Sequence, residues 1–196
     1  ERAFNQEPEK LQLRLLFARA LVTQGQYFKS IAVLENFSPN DKSSDSYWTI
    51  LGNAYYSTGK IDKAIDVIQS WVSKRPNRKG SYLHLIALQD ITKNNKEALS
   101  TAKLAQQRFP KDERFSILVT YYNIATGELS AAERSYANLS DDWKQSVEGQ
   151  GLMGQILLEK GEAKSALPKL KAFYEKKPTL QNTVLLAKAL NIDNKH

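Results

Sequence analysis

The stretch WTILGNAYYSTGKIDKAIDVIQSWVSKRP, Trp48 to Pro76, decides the fold. Trp48, Leu51 and Tyr55, with Ile50 and Ala54 beside them, recur at helical spacing up to Ser57. Ile61, Ala64, Ile65, Ile68 and Trp71 do the same up to Val72. Two amphipathic helices are therefore predicted, and Gly59-Lys60 between them predicts a tight turn. Ser44 or Asp45 is placed to cap the first helix. Pro76 ends the second, because proline cannot continue the hydrogen-bond ladder. Gly52 and Ala64 are small enough to let the two helices approach closely.

The stretch is one unit of a repeat. Proline stands at Pro8, Pro76, Pro110 and Pro178, with gaps of 68, 34 and 68 residues, and Lys42 and Lys144 hold the vacant slots. Gly25, Gly59, Gly127 and Gly161 keep the same 34-residue beat, with Lys93 in the missing place. Ala64, Ala98, Ala132 and Ala166 keep it too, preceded by Ser30. Three residue types on one period, with no insertion, predict an array of helix pairs that bury their cores mainly against one another. The units are 11–44, 45–78, 79–112, 113–146 and 147–180, with partial units 1–10 and 181–196. About eleven helices follow, in one domain covering 1–196, with turns near Gly25, Gly59, Lys93-Asn94, Gly127 and Gly161. The polar stretch Ser38 to Ser46 fits a loop between units, and no linker is visible. Pro168 falls inside a second helix and is tolerable there only if that helix starts near Ala163 or Lys164.

The set Trp48, Leu51, Gly52, Tyr55, Gly59, Ala64, Ile68, Trp71 and Pro76 resembles the tetratricopeptide repeat. The fifth unit keeps Gly154, Leu157, Gly161, Ala166, Phe173 and Pro178. The third keeps Tyr82, Leu85, Ala98 and Pro110 but has lost both glycines, and the first and fourth carry Ala18 and Thr120 in the small-residue slot. The resemblance implies an all-α, right-handed superhelical solenoid whose first helices line a concave groove that takes a peptide or protein segment. Carried over, it gives a lining of Arg19, Thr49, Asn53, Tyr56, Asp90, Ile117, Tyr121 and Gln155. The places that match the chaperone-binding carboxylate clamp of the family hold Leu15, Arg19, Ile50, Gly80 and His84, so that ligand is not expected. Arg2 to Asn5 fall where a preceding unit would end, and Thr183 to Leu190 form a first helix without a partner. A longer native chain is therefore expected on the N-terminal side. Val184, Leu185, Leu186 and Leu190 make the last helix apolar for a cap, with Lys188 in a small-residue slot.

Chemistry is sparse. Gly52 and Gly59-Lys60 have the wrong spacing for a phosphate loop, and Ile61 stands where Ser or Thr would bind magnesium. Ser100-Thr101-Ala102-Lys103 matches a nucleophile motif without its companions. His84 and His196 are the only histidines, and with no cysteine there is no expected metal set. Asp141-Asp142 reads as a helix start beside Trp143. Asn36-Phe37-Ser38 and Asn138-Leu139-Ser140 match the glycosylation pattern, which is short and common. No catalytic residue, cofactor or metal is expected, and no apolar run is long enough to span a bilayer. The net charge is +7, with Lys74-Arg75, Arg78-Lys79 and Lys176-Lys177 at unit junctions and Lys169 and Lys171 on a second helix. An RNA reader of the helical-repeat kind would use such junctions, but the Gly, Ala and Pro pattern favours a protein or peptide partner over nucleic acid or a small molecule. A non-catalytic module of a larger enzyme is the other alternative. A Lys- and Asn-rich chain without cysteine also resembles bacterial envelope proteins of this family that assist polysaccharide or protein export.

Overall fold

The computed structural model describes residues 11–35 and 44–193, and all of the regular structure among them is helical. The readings at Pro8, Arg2 to Asn5, Lys42, Asn36 to Ser38, His196 and most of the Ser38 to Ser46 loop lie outside these residues. The helices are α1 (Leu11–Thr23), α2 (Tyr27–Glu35), α3 (Asp45–Ser57), α4 (Ile61–Lys74), α5 (Lys79–Ile91), α6 (Asn95–Arg108), α7 (Glu113–Ala125), α8 (Leu129–Ala137), α9 (Asp141–Gln145), α10 (Val147–Glu159), α11 (Ala163–Lys176) and α12 (Leu180–Asp193). They fall into two compact units, Glu1–Asn94 and Asn95–His196.

Each tight turn is built alike. Gly25, Gly59, Gly127 and Gly161 adopt φ values between 72° and 83°, and Lys93 stands at 59°. In every case the amide one residue later reaches back five residues. Lys60 N donates to Tyr55 O at 2.9 Å, Asn94 N to Gln89 O at 2.8 Å and Glu128 N to Asn123 O at 2.8 Å. This is the left-handed helix end that satisfies orphan carbonyls and favours glycine. The 34-residue beat of glycine is therefore a beat of backbone conformation.

In unit 1 the pairs α1/α2 and α3/α4 pack in sequence, and α5 follows against α4. Ser44 caps α3, its side chain accepting from Ser46 N at 3.2 Å. A Cβ on Gly52 would stand 2.7 Å from Ile68 Cδ1, so α3 and α4 lie close enough there that any larger residue would have to displace the Ile68 side chain. Trp48 and Trp71 are 6% and 5% exposed, and Tyr82 and Leu85 continue the core as expected. Trp48 lies edge-on to Tyr47, with ring centroids 5.1 Å apart. Trp71 faces the start of α5, near Gly80.

In unit 2, α7 pairs with α8, α10 with α11, and α12 packs on α11. One cluster gathers Ala132, Tyr136, Leu139, Leu152 and Ile156, and another Leu158, Ala166, Leu170 and Ala189. The described residues form twelve helices, against about eleven expected for the chain, and α9 is the one that the repeat does not supply. The second helix of its unit stops at Ala137, and Ser140 starts a new turn by accepting from Trp143 N at 3.3 Å. α11 starts at Ala163, so Pro168 is its sixth residue, just past the first turn. On α12, Leu185 and Leu186 join the core while Leu180, Val184 and Leu190 are exposed.

Candidate functional site

The residues proposed as a lining divide between the units. In unit 1, Arg19 comes from α1, Thr49, Asn53 and Tyr56 from α3, and Asp90 from α5. Arg19 Nη2 donates to Ser46 Oγ at 3.0 Å, tying α1 to the start of α3. Thr49 is half-buried and donates to its own helix at Asp45 O, 3.0 Å away. Asn53 is exposed, Tyr56 is 42% exposed, and Asp90 is half-buried. A tyrosine so exposed on a helix in register with a packed core is not there to fill the core.

In unit 2 the picture differs. Ile117 and Tyr121 are half-buried and pack against the cluster around Ala132 and Ile156. Tyr121 also meets Tyr122 edge-on at 5.0 Å between ring centroids. Gln155 is half-buried on α10. Tyr56 and Tyr121 look alike in sequence, yet Tyr56 is exposed and Tyr121 is half-buried.

Arg75, Arg78 and Lys177 of the basic junctions are paired internally. Arg75 and Arg78 both pair with Asp45, at 2.8 and 3.1 Å, and Trp71 Nε1 donates to the same carboxylate at 3.2 Å. Asp45 thus ties the start of α3 to the end of its own unit, a role its position at a helix start did not disclose. Lys177 pairs with Glu148 at 2.5 Å, and this hydrogen bond holds the Glu148 carboxyl below the usual carboxylate range. Lys169 donates to Gln150 Oε1. Glu35 accepts from Tyr55 Oη at 2.6 Å, which lowers the carboxyl's pKa, while burial and then that bond push the phenol up.

No group of three or more His, Cys, Asp or Glu residues among those described could hold a metal, and no described helix is long and apolar enough to cross a membrane. Ser100 is exposed and donates to Lys96 O on its own helix, as a surface helix residue does. Among the described residues, three buried side-chain polar atoms have no hydrogen-bond partner: Trp48 Nε1, Gln89 Oε1 and Asn123 Oδ1. Gln89 and Asn123 occupy the same slot 34 residues apart.

The tetratricopeptide repeat family model matches residues 15–79. No curated protein matches the chain by sequence. Among solved structures, a MamA fragment from Desulfovibrio magneticus RS-1 aligns with TM-score 0.66 at 17% identity, over 85% of this chain and 94% of that one. YrrB, described as a TPR protein with an unusual peptide-binding site, aligns with TM-score 0.71 at 16% identity, over 98% and 96%. A tetratricopeptide repeat protein from Parabacteroides merdae aligns with TM-score 0.77 at 12% identity, over 94% and 74%. These likenesses are of fold. The family match covers the first two units, 15–79, and beyond them the unbroken beat of turns continues the fold that the chain shares with these tetratricopeptide-repeat structures.

Proposed function

We propose that the chain is a non-catalytic scaffold that binds a peptide or protein segment on the groove-lining faces of its first helices. The observation that carries this reading is in unit 1. Tyr56 stands 42% exposed on α3 beside exposed Asn53, and Arg19 is held to the same side by Ser46. Aromatic and arginine side chains dominate binding energies at interfaces, and a helix surface that offers one of each is suited to a segment with apolar and acidic groups. Thr49 and Asp90 extend that face in unit 1. Ile117, Tyr121 and Gln155 form the corresponding face of unit 2, where the two apolar side chains keep only part of their surface for a partner. The Lys- and Asn-rich, cysteine-free composition supports an accessory role in bacterial envelope export or assembly as the setting. The pairing of Arg75 and Arg78 with Asp45 speaks against those junctions as phosphate contacts.

A photo-crosslinking residue at Asn53 tests the reading, with the same residue at Gln69, on the second helix α4, as control. Adducts formed from Asn53 and not from Gln69 identify the partner. Against that partner, Tyr56→Ala should weaken binding by about 2 kcal/mol and leave the melting temperature nearly unchanged. Tyr121→Ala should instead destabilise the fold by about 1–3 kcal/mol, because its ring is partly core. Equal crosslinking from both positions would sink the first-helix assignment. A binding constant that falls steeply with salt and loses its strength in Arg78→Ala would return the partner to nucleic acid.

A further inference from the structure

Two repeat slots recur on the first helices of unit 1. One holds Arg19 on α1, Asn53 on α3 and Ala87 on α5, and the other holds Val22, Tyr56 and Asp90 on the same three helices. The slots are three residues apart, so on each helix they share one face. Arg19, Asn53, Tyr56 and Ala87 are exposed, and Val22 and Asp90 are half-buried. α1 packs directly on α3, and α5 stands one repeat further on. The face therefore carries a positive charge on α1, the uncharged Asn53 and Tyr56 on α3, and a negative charge on α5.

The fold uses neither charge. Arg19 and Asp90 make no ion pair among the described residues, whereas Lys63, Arg75 and Arg78 of the same unit all find a carboxylate. Arg19 donates from Nη2 to Ser46 Oγ, and a guanidinium has five N–H donors to offer. At the end of α5 the turn amide Lys93 N donates to the Asp90 main-chain oxygen at 2.9 Å, and not to its carboxylate. Ile91, next to Asp90, is 49% exposed, where the same slot on α1 and α3 holds Thr23 and Ser57. Nothing in the repeat calls for an apolar side chain there.

Taking the first-helix reading as given, we propose that this face binds an extended segment with an acidic residue over α1, an apolar residue over α3 and a basic residue over α5. Arg19 pairs with the acid and Tyr56 packs on the apolar side chain. Asp90 pairs with the base, whose aliphatic stem lies along Ile91. The Asn53 amide can both donate and accept. That suits the unpaired peptide groups of an extended chain, not those of a helix, which are already bonded to one another. Packed helices stand about 8–10 Å apart, so two steps put the charges about 16–20 Å from each other. At about 3.3 Å per residue, the acid and the base of the segment stand about six positions apart, with the apolar residue between them.

Random peptides of about sixteen residues, displayed on phage, are long enough to cross this face in extended or in helical form. Selected on the full chain, they should converge on an acid and a base about six positions apart around an apolar residue. Selected on Arg19→Glu, they should carry a base at both ends of that spacing, and on Asp90→Lys an acid at both ends. Asp90→Asn, the milder change, should lose the preference for a base. Lys74→Glu, on exposed α4 surface, should leave the consensus as it is. In fluorescence anisotropy the consensus peptide should bind either first-helix reversal about tenfold more weakly. A consensus without the charge pair, or one that neither reversal alters, overturns the proposal. If binding of those peptides still falls in Tyr56→Ala, the first-helix reading survives. Peptides that bind Tyr56→Ala and the unaltered chain equally well overturn both. A selection that enriches nothing overturns the proposal. Charges about twelve positions apart, the helical spacing for the same distance, overturn it in favour of a helical segment.

Discussion

Lys93 shows how a backbone conformation can outlast the residue that suits it. The turn after α5 needs a left-handed residue, and the four sister turns use glycine, while Lys93 stands there at φ 59°. An L-residue with a side chain carries a cost of about 1–2 kcal/mol in that region. Lys93→Gly should therefore raise stability by about 1 kcal/mol, the gain being reduced by glycine's larger freedom when unfolded. Urea unfolding of the two proteins checks the sign. Unchanged or lowered stability would mean that the Lys93 side chain contributes something no sister turn has. The spacing of glycines made this turn legible. The rotation that leaves Tyr56 in water and turns Tyr121 onto the core was not, because each is a tyrosine off its helix's apolar stripe.

His84 gives the residue scale a pH dependence. It is half-buried on α5, and burial pushes its pKa below the ordinary value of 6.5. The unfolded chain then binds more protons than the folded one between that lowered value and about 6.5. Stability contributed by neutral His84 is present above that window and is lost as the pH falls through it. The carboxyls of Glu35, Glu148 and Asp141, held low by Tyr55, Lys177 and Lys144, respectively, add their own loss only at more acidic pH. In His84→Gln the decline just below about pH 6.5 should flatten, while the acid limb remains. Urea midpoints measured across the range would show this, and an identical profile would place the histidine in a solvated setting.

At the scale of elements, helix order and the five turns follow from periodicity, whereas α9 does not. Its cause is a set of local bonds. Ser140 caps the short helix, and Glu113, at the start of the unit, accepts from both Ser140 N and Ser140 Oγ, at 2.5 and 3.0 Å. Ser146 then caps α10 through Gly149 N at 3.1 Å. These bonds bring α9 so close to α10 that a Cβ on Gly149 would collide with Trp143 O and with the backbone of Lys144. Backbone atoms cannot turn aside as a side chain can. Gly149→Ala should therefore cost about 1–3 kcal/mol or more. Gly80→Ala, whose new methyl would meet only Trp71 at 3.9 Å, should cost little and favour the helix. A thermal melt of both variants distinguishes them, and equal stability would show that α9 is free to move away. From sequence, Gly149 is one more glycine in a helix: the repeat register singles out Gly154, and nothing in its spacing distinguishes Gly149 from Gly151.

For the whole molecule the open question is whether the two compact units unfold as one. We propose a single repeat domain over 1–196. The support is the register: the third unit, 79–112, crosses the point between Asn94 and Asn95 without an insertion, with α5 on one side and α6 on the other. Its turn also keeps the backbone form of its sisters, although its glycine has been lost. In stacked repeats stability is a sum of unit and neighbour terms, and a short array unfolds together when the neighbour terms dominate. The tryptophans allow this to be read directly. Trp48 and Trp71 belong to unit 1 and Trp143 to unit 2. A Trp143→Phe protein reports fluorescence from unit 1 alone, and a Trp48→Phe, Trp71→Phe protein from unit 2 alone. Each should be compared with its own circular dichroism, since the core substitutions at Trp48 and Trp71 lower the stability of unit 1. For one domain, fluorescence and dichroism should give the same urea midpoint within each protein. The loss of core at Trp48 and Trp71 should then also draw down the midpoint reported by Trp143. A Trp143 midpoint that stays at the value of the chain with all three tryptophans, while the dichroism divides into two steps, would establish two independently folding units.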